Sequence, residues 1–171
     1  QDALAVKKKI GYLPESNPLY YDMYVKEYLA FIAGVHQLAQ AKQRIAEVIA
    51  LTGLQVEQHK KLGQLSKGYK QRAGLAAALI HQPEVLILDE PTTGLDPNQI
   101  QEIRQVIKAQ GADKTVLFSS HILQEVQAIC DRIIIINKGK IVADDYLTNL
   151  QQQQQQVVQV GFAEALEAEW L

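Results

Sequence analysis

Asp89 and Glu90 stand directly after a short apolar run, and they are the strongest chemical signal in this chain. The run, residues 85–88, is rich in branched side chains and shows no polar alternation, which is typical of a strand buried on both faces of a parallel sheet. Ligands of α/β proteins bind at the carboxyl ends of such strands. The two carboxylates are therefore predicted to line a ligand site at a sheet edge.

A phosphate is the ligand that the preceding segment favours. Ser66 and Gly68 form a Ser–x–Gly turn that opens an Ala- and Leu-rich helix ending near Ile80. Unpaired backbone N–H groups and the positive end of the helix dipole make such a helix start suitable for an anion. After the carboxylates, a turn over residues 91–97 leads into a further helix. A phosphate site and a pair of carboxylates are therefore predicted in one short stretch of sequence.

His121 is a third candidate, since it ends the next apolar run, residues 115–120. We expect this run to be the next parallel strand. A histidine in this position is often only a cap or a turn residue. Its place one strand and one helix after the carboxylates favours a functional role, whereas His36, His59 and His81 lack such a context and are interpreted as ordinary.

Residues 65–97 carry three motifs in a fixed order that resemble those of the ATP-binding-cassette (ABC) ATPases. LSKGYKQR resembles their signature motif, although Lys67 and Tyr69 depart from it, VLILDEP resembles their Walker B strand with the catalytic glutamate, and TGLDP resembles their D-loop. The resemblance implies an α/β fold of the P-loop NTPase, or RecA-like, type. Such a fold has a mostly parallel sheet with helices on both faces and an inserted α-helical subdomain. The cofactors that it implies are ATP and Mg²⁺.

The resemblance assigns roles in ATP hydrolysis to the carboxylates and the histidine. Asp89 is expected to bind Mg²⁺ through a water molecule, because hard cations prefer oxygen ligands. Glu90 is expected to act as general base or to orient the attacking water. His121 resembles the switch histidine that touches the γ-phosphate and holds the glutamate and the water in place. Since adjacent strand residues point to opposite faces, one carboxylate would face the metal and the other the water.

The remaining nucleotide contacts are also implied by the resemblance. Ser66, Lys67 and Gly68 would address the γ-phosphate of a nucleotide held by a second ATP-binding domain in a head-to-tail dimer, and Asp96 would lie at the dimer seam. Lys67 would add a cation beside the phosphates or simply point outward. Glu15 takes the position of the Q-loop glutamine, which contacts Mg²⁺ and the attacking water. A surface turn residue is the alternative interpretation of Glu15.

The chain is predicted to divide into four parts. These are residues 1–16 with the end of a core strand and the Q-loop-like segment, 17–64 with the helical subdomain, 65–146 with the signature helix and the RecA-like core, and 147–171 as a C-terminal extension. Lysines 7–9 are interpreted as a solvated strand entry. The glutamine run at residues 151–156 is interpreted as a helix extension or linker, followed by a strand at 157–162 and a helical turn at 163–171.

Two amphipathic helices are predicted in the helical subdomain. Apolar residues recur with a helical period in residues 24–38 and 41–54. They are Val25, Tyr28, Leu29, Ile32 and Val35 in the first segment, and Ile45, Val48, Ile49 and Thr52 in the second. In the resembled family this subdomain meets a membrane partner, and a tyrosine cluster at residues 20–24 would suit that interface as well as core packing. Farther on, Lys138 and Gly139 predict a hairpin turn between two strands.

The chain contains no G-x-x-x-x-G-K-[ST] motif, the glycine-rich loop that wraps the phosphates of ATP. In the resembled family this loop lies upstream of every motif found here. We therefore expect a fragment whose N-terminal part is missing and which is inactive by itself, whereas the full-length protein hydrolyses ATP.

The composition is that of an ordinary soluble protein, with 47% apolar and 21% charged residues. No apolar run approaches the roughly 20 residues of a membrane helix, and the single Cys130 cannot form an internal disulfide. A net charge of −2 gives no electrostatic footprint for nucleic acid. With the resemblance, this predicts a cytoplasmic protein, peripheral on the cytoplasmic side of the bacterial inner membrane.

The function implied by the resemblance is that of the ATP-hydrolysing subunit of an ABC transporter, which powers separate transmembrane permease subunits. Residues 10–29 are most similar to subunits of ABC-2-type exporters and gliding-motility systems. One alternative is a non-transport ABC ATPase acting on ribosomes or DNA, although ribosome-associated members usually carry Asn-His where this chain has Thr93 and Gly94. The other is a catalytically dead structural domain, against which the intact carboxylates and histidine argue.

Overall fold

The computed structural model of the chain describes residues 3–153. The chain divides into two compact units, Gln1–Ile129 and Cys130–Leu171. The strand predicted at residues 157–162 and the helical turn predicted at 163–171 lie outside the described residues. The elements of the first unit are α1 (Ala3–Lys7), β1 (Ile10–Leu13), α2 (Val25–Val35), α3 (Ala41–Leu51), α4 (Lys67–Leu79), β2 (Val85–Asp89), α5 (Pro97–Gln110), β3 (Thr115–Ser119) and α6 (Leu123–Ile129), with a 3-10 turn at Leu62–Gln64 before α4.

Strands β1, β2 and β3 form a parallel sheet with β2 in the centre. Leu13 of β1 lies opposite Leu88 of β2, which in turn lies opposite Phe118 of β3. The carboxyl ends of the three strands therefore reach the same edge of the sheet. This confirms the predicted α/β architecture with a parallel sheet, and it brings the segments that carry Asp89 and His121 side by side.

Strand β2 was predicted to be buried on both faces of the sheet, and its burial is less complete than that. Leu86 and Leu88 are fully buried, whereas the alternate positions of β2 are half-buried. In β3, Leu117 is 56% exposed. The unbroken apolar runs identified both strands correctly, but composition alone does not tell how many layers pack on a strand.

Helix α4 packs directly on β1. Its start at Ser66 and its end near Ile80 are confirmed, with Ser66 as the N-cap residue. A Cβ atom added to Gly11 of β1 would collide with the backbone carbonyl of Ala78, so glycine is what allows the two backbones to approach. This close contact fixes the position of the helix relative to the sheet.

The two predicted helices of the helical subdomain are α2 and α3, and both end earlier than expected. After α2 the chain turns at Gln37, which has a left-handed φ of 56°, and after α3 it turns at Gly53, with a φ of 68°. Val35, expected in the buried stripe, is 61% exposed because it lies in the last turn of α2. The buried face of α2 consists of Val25, Tyr28, Leu29 and Ala33.

Lysines 7–9 were interpreted as the entry to a strand, and for Lys7 this interpretation is wrong. Lys7 ends α1, and the strand begins only at Ile10. Ala3, Leu4 and Ala5 are strong helix formers, and α1 has no buried residue. The segment before β1 is therefore an exposed helical turn followed by a turn at Lys8 and Lys9.

The second unit holds a β-hairpin and a helix: β4 (Arg132–Asn137), β5 (Lys140–Tyr146) and α7 (Leu147–Gln153). Lys138 and Gly139 form the turn, with φ angles of 49° and 72°, which is the backbone that two-residue hairpins require. The predicted strand–turn–strand unit is confirmed. Across residues 3–153, no helix has both the length and the apolar character needed to span a bilayer.

Candidate functional site

Asp89 is the last residue of β2, and a hydroxyl group from the neighbouring strand holds its side chain. Ser119 of β3 lies opposite Asp89, and its Oγ donates a hydrogen bond of 2.7 Å to Asp89 Oδ1. The same Ser119 Oγ accepts a hydrogen bond of 3.0 Å from the backbone N–H of Glu90. One serine therefore positions both the Asp89 carboxylate and the backbone that carries Glu90.

Glu90 has a left-handed backbone conformation, with a φ of 47°. Residues other than glycine rarely adopt this backbone conformation, and holding one in it costs about 1–3 kcal/mol. Besides Ser119, the turn is closed by the N–H of Thr93, which donates to the Glu90 carbonyl at 3.2 Å. The expectation that strand alternation separates the two carboxylates is therefore wrong, because β2 ends at Asp89 and a sharp turn directs Glu90.

The Glu90 carboxylate lies between a histidine and a threonine. His121 Nδ1 is 2.9 Å from Glu90 Oε1, and Thr93 Oγ1 donates a hydrogen bond of 3.1 Å to Glu90 Oε2. The Glu90 side chain is 20% exposed, whereas that of His121 is 71% exposed. A carboxylate fixed at both oxygens and a ring open to solvent together form a proton-handling pair that a ligand can reach.

The hydrogen bond from His121 to Glu90 raises the pKa of the His121 imidazole, and the charge of Glu90 adds to this effect. The more distant charges of Glu125 and Glu15 raise this pKa further. When Nδ1 donates to Glu90, the other ring nitrogen is left for a ligand. Glu15 is exposed and follows β1 at the carboxyl edge of the sheet, and its role at the site stays a prediction.

The signature-like turn and the D-loop-like turn touch each other within this chain. Ser66 Oγ accepts a hydrogen bond of 3.4 Å from the N–H of Tyr69 and so caps α4. The side chain of Lys67 lies over Gly94, where a Cβ atom would collide with its ammonium group. Lys67 is exposed and its ammonium group lies against Gly94, and both expectations for it stay predictions.

Gly68 and Gln99 form the second contact, which joins the signature-like turn to the first turn of α5. A Cβ atom on Gly68 would lie 2.6 Å from the side-chain amide of Gln99, so a larger residue there would require the end of the Gln99 side chain to move. Asp96 is the N-cap of α5, and its Oδ1 accepts hydrogen bonds of 3.0 Å from the N–H groups of Asn98 and Gln99. The roles of Ser66, Lys67, Gly68 and Asp96 in binding a nucleotide stay predictions.

Asp89 offers the kind of oxygen ligand that Mg²⁺ takes. In the part of the chain that the structure describes, no three His, Cys, Asp or Glu side chains come together as a metal site. Mg²⁺ at nucleotide sites is commonly held by one or two carboxylates, several waters and the phosphates themselves. Asp89 therefore fits this ion together with nucleotide phosphates, and the role of Glu15 as a second ligand stays a prediction.

Sequence reasoning missed the two hydroxyl groups that organise the carboxylates. Ser119 ends β3 and Thr93 lies in the turn after Glu90, and neither stands out in the sequence. The signal that could have found Ser119 is the register of parallel strands, because β2 and β3 have the same length and Ser119 ends β3 as Asp89 ends β2.

Comparisons with known proteins agree with this geometry. A family model described as ABC transporter matches residues 1–93. An uncharacterized ABC transporter ATP-binding protein of Nostoc sp. is 42% identical over 150 residues, which cover 85% of this chain and 45% of that protein. The bacitracin transport ATP-binding protein BcrA of Bacillus licheniformis is 41% identical over 144 residues, with 81% and 46% covered.

A solved structure gives the same result. The structure of cbiO1 from Clostridium perfringens, described as part of the ABC transporter complex cbiONQ, matches with a TM-score of 0.77 and 25% identity over 88% of this chain and 62% of that one. The chain spans about half the length of the two relatives above. It belongs to the ABC transporter family of ATP-binding proteins.

Proposed function

We propose that this chain is part of the ATP-hydrolysing subunit of an ABC transporter. The observation that carries the proposal is the Glu90 carboxylate, held by His121 at 2.9 Å and by Thr93 at 3.1 Å at the carboxyl edge of a parallel sheet. The family membership supports it, since relatives are named as transporter ATP-binding proteins.

In the proposed reaction, Glu90 orients the water that attacks the γ-phosphate and accepts its proton. Thr93 and His121 fix the direction of the carboxylate, so that little reorganisation is needed when charge develops. The ring of His121 is exposed, so its free nitrogen would be available to the γ-phosphate. Ser119 supports both carboxylates through its bonds to Asp89 and to the Glu90 backbone.

Asp89 would hold Mg²⁺ with its carboxylate, through a water molecule. When bound, this ion neutralises the charge of the phosphate oxygens and keeps them aligned. The Ser119 hydroxyl fixes one oxygen of Asp89, which sets the direction of the carboxylate before the ion arrives.

A second ATP-binding domain and a permease are the proposed partners. The turn with Ser66 and Gly68 would face the nucleotide of a second domain in a head-to-tail dimer, and the dimer would work at the cytoplasmic face of the membrane. The relative BcrA is named for bacitracin transport, and an ABC-2-type exporter is the kind of transporter that we propose. The finer assignment to gliding-motility systems stays a prediction.

The test is ATP turnover by the full-length protein, with its permease partner in proteoliposomes, beside the same measurement on the 171-residue chain. Glu90→Gln should lower kcat by about 10²–10⁴-fold, since a positioned base contributes that much, while ATP still binds. Glu84→Gln is the matched control, because Glu84 is an exposed carboxylate paired with Lys9. Unchanged turnover in Glu90→Gln would refute the proposed role of Glu90.

A further inference from the structure

Glu125 of α6 is a buried carboxyl group that the proposed reaction does not use. Its side chain is 1% exposed, although charged side chains are almost never fully buried unless they are paired. On the same helix Leu123 is 58% exposed. The acid therefore takes the inner position that an apolar residue would normally hold, which points to a specific role.

One oxygen of Glu125 joins the two loops that carry the proton-handling pair. Glu125 Oε2 accepts a hydrogen bond of 2.6 Å from Thr92 Oγ1 and another of 3.1 Å from Ser120 Oγ. Thr92 is the neighbour of Thr93, which binds the Glu90 carboxylate, and Ser120 is the neighbour of His121. Each loop is thus attached to Glu125 one residue away from its functional side chain.

The other oxygen of Glu125 faces a third element. Glu125 Oε1 lies 3.5 Å from Arg104 Nη2 of α5, the helix that follows the D-loop-like turn. Among the described residues, Arg104 Nε and Glu125 Oε1 are buried atoms without a hydrogen bond. The strong attachments of Glu125 are therefore those to the two loops, and the ion pair is the looser contact.

We propose that Glu125 is a positioning residue that sets the distance between Glu90 and His121 by holding Thr92 and Ser120 on one oxygen. The effect on ATP turnover rests on the proposed function, whereas the effect on the geometry of the pair does not. A purely structural role would instead centre on the ion pair with Arg104, and loss of the Thr92 hydroxyl would then affect only stability.

Thr92→Val in the full-length protein separates these possibilities, because it removes one bond to Glu125 and leaves the ion pair. The matched control is Thr52→Val in the segment after α3, since Thr52 is also buried and its hydroxyl donates to Val48 O at 2.7 Å. Both variants lose one buried hydrogen bond and should lose similar stability in urea unfolding. Only Thr92→Val should shift the His121 imidazole pKa, measured by NMR titration without nucleotide, down toward its ordinary value.

ATP turnover gives the second readout. Thr92→Val should lower kcat by about 10²-fold, as expected for a small misplacement of a reacting group, with KM nearly unchanged. Glu125→Gln keeps a carbonyl oxygen that can accept from both hydroxyls, so it should retain more kcat than Glu125→Ala.

The proposal is overturned if Thr92→Val leaves the His121 pKa at the wild-type value, or if Thr52→Val shifts it equally. It is also overturned if Glu125→Gln and Glu125→Ala lose the same kcat. If Glu90→Gln fails to lower ATP turnover, the proposed function is refuted, while the His121 titration still decides whether Glu125 positions the pair.

Discussion

Glu90 and His121 affect each other at the sheet edge: the imidazole orients the carboxylate, and the carboxylate changes the pKa of the imidazole. The imidazole fixes one carboxylate oxygen at 2.9 Å, and the carboxylate in turn raises the pKa of the imidazole. A raised histidine pKa means that the folded state binds this proton more tightly than the unfolded state. The stability from this pair is therefore fully present below about pH 6.5 and is lost as the pH rises through the higher folded pKa.

Glu90→Gln should lower the His121 pKa toward its ordinary value. The reason is that the main cause of the shift, the hydrogen bond to Glu90, loses its charged acceptor, while only the weaker effects of Glu125 and Glu15 remain. An NMR titration of the imidazole signals measures the change. Glu84→Gln should leave the titration of His121 in place, and an equal pKa in the wild type and Glu90→Gln would contradict the assignment of the hydrogen bond.

The sequence allowed Asp89, Glu90 and His121 to be predicted as neighbours, because each ends or follows an apolar run and parallel strands share an edge. Thr93 and Ser119 could not be predicted in the same way. Hydroxyl residues are common in turns and strand ends, and only the register and the left-handed turn at Glu90 give these two their partners.

At the scale of elements, the helices with a clear start signal were predictable. Ser66 caps α4, and Asp96 with Pro97 starts α5, in agreement with the preferences for these positions. Helix ends were less predictable, since the apolar period of α2 continues past its last residue. Burial on α6 was not predictable, because its acid is inside and Leu123 outside.

The close contact between α4 and β1 predicts that Gly11→Ala is destabilising, whereas Gly34→Ala, on the open side of α2, is not. Gly11→Ala should destabilise the protein by about 1–3 kcal/mol, as overpacking does, because the added methyl meets the backbone carbonyl of Ala78. Gly34→Ala in α2 should be neutral or stabilising by up to about 1 kcal/mol, since a Cβ atom there meets nothing within 4 Å. Urea unfolding of both variants measures the difference, and equal stabilities would show that α4 can move away from β1.

At the scale of the whole first unit, a pair of histidines connects the helical subdomain to the sheet. The rings of His36, at the end of α2, and His81, after α4, stack at 3.9 Å with an angle of 5°. His81 Nε2 lies 3.0 Å from the carbonyl oxygen of Ile10 in β1. Burial lowers the pKa of both imidazoles, with a further contribution from Lys8 at His36 and from the His36 ring at His81.

These lowered pKa values predict acid sensitivity. The unfolded state binds these protons more readily, so stability should begin to fall as the pH drops below about 6.5 and should level off below the folded pKa values. His36→Gln should reduce the loss of urea-unfolding stability between pH 7.5 and pH 5. The control is His59→Gln, because His59 is exposed. The same pH dependence in the wild type and His36→Gln would rule out the stacked pair as its source.

The shared oxygen of Glu125 also has a consequence for how related chains diverge. Since Thr92 and Ser120 both donate to this one atom, losing the acid leaves the buried Thr92 hydroxyl without its acceptor and releases Ser120, and losing either hydroxyl releases the loop that carries it. We therefore expect positions 92, 120 and 125 to change together among related chains. A related chain that keeps all three side chains is then expected still to hold its two loops together.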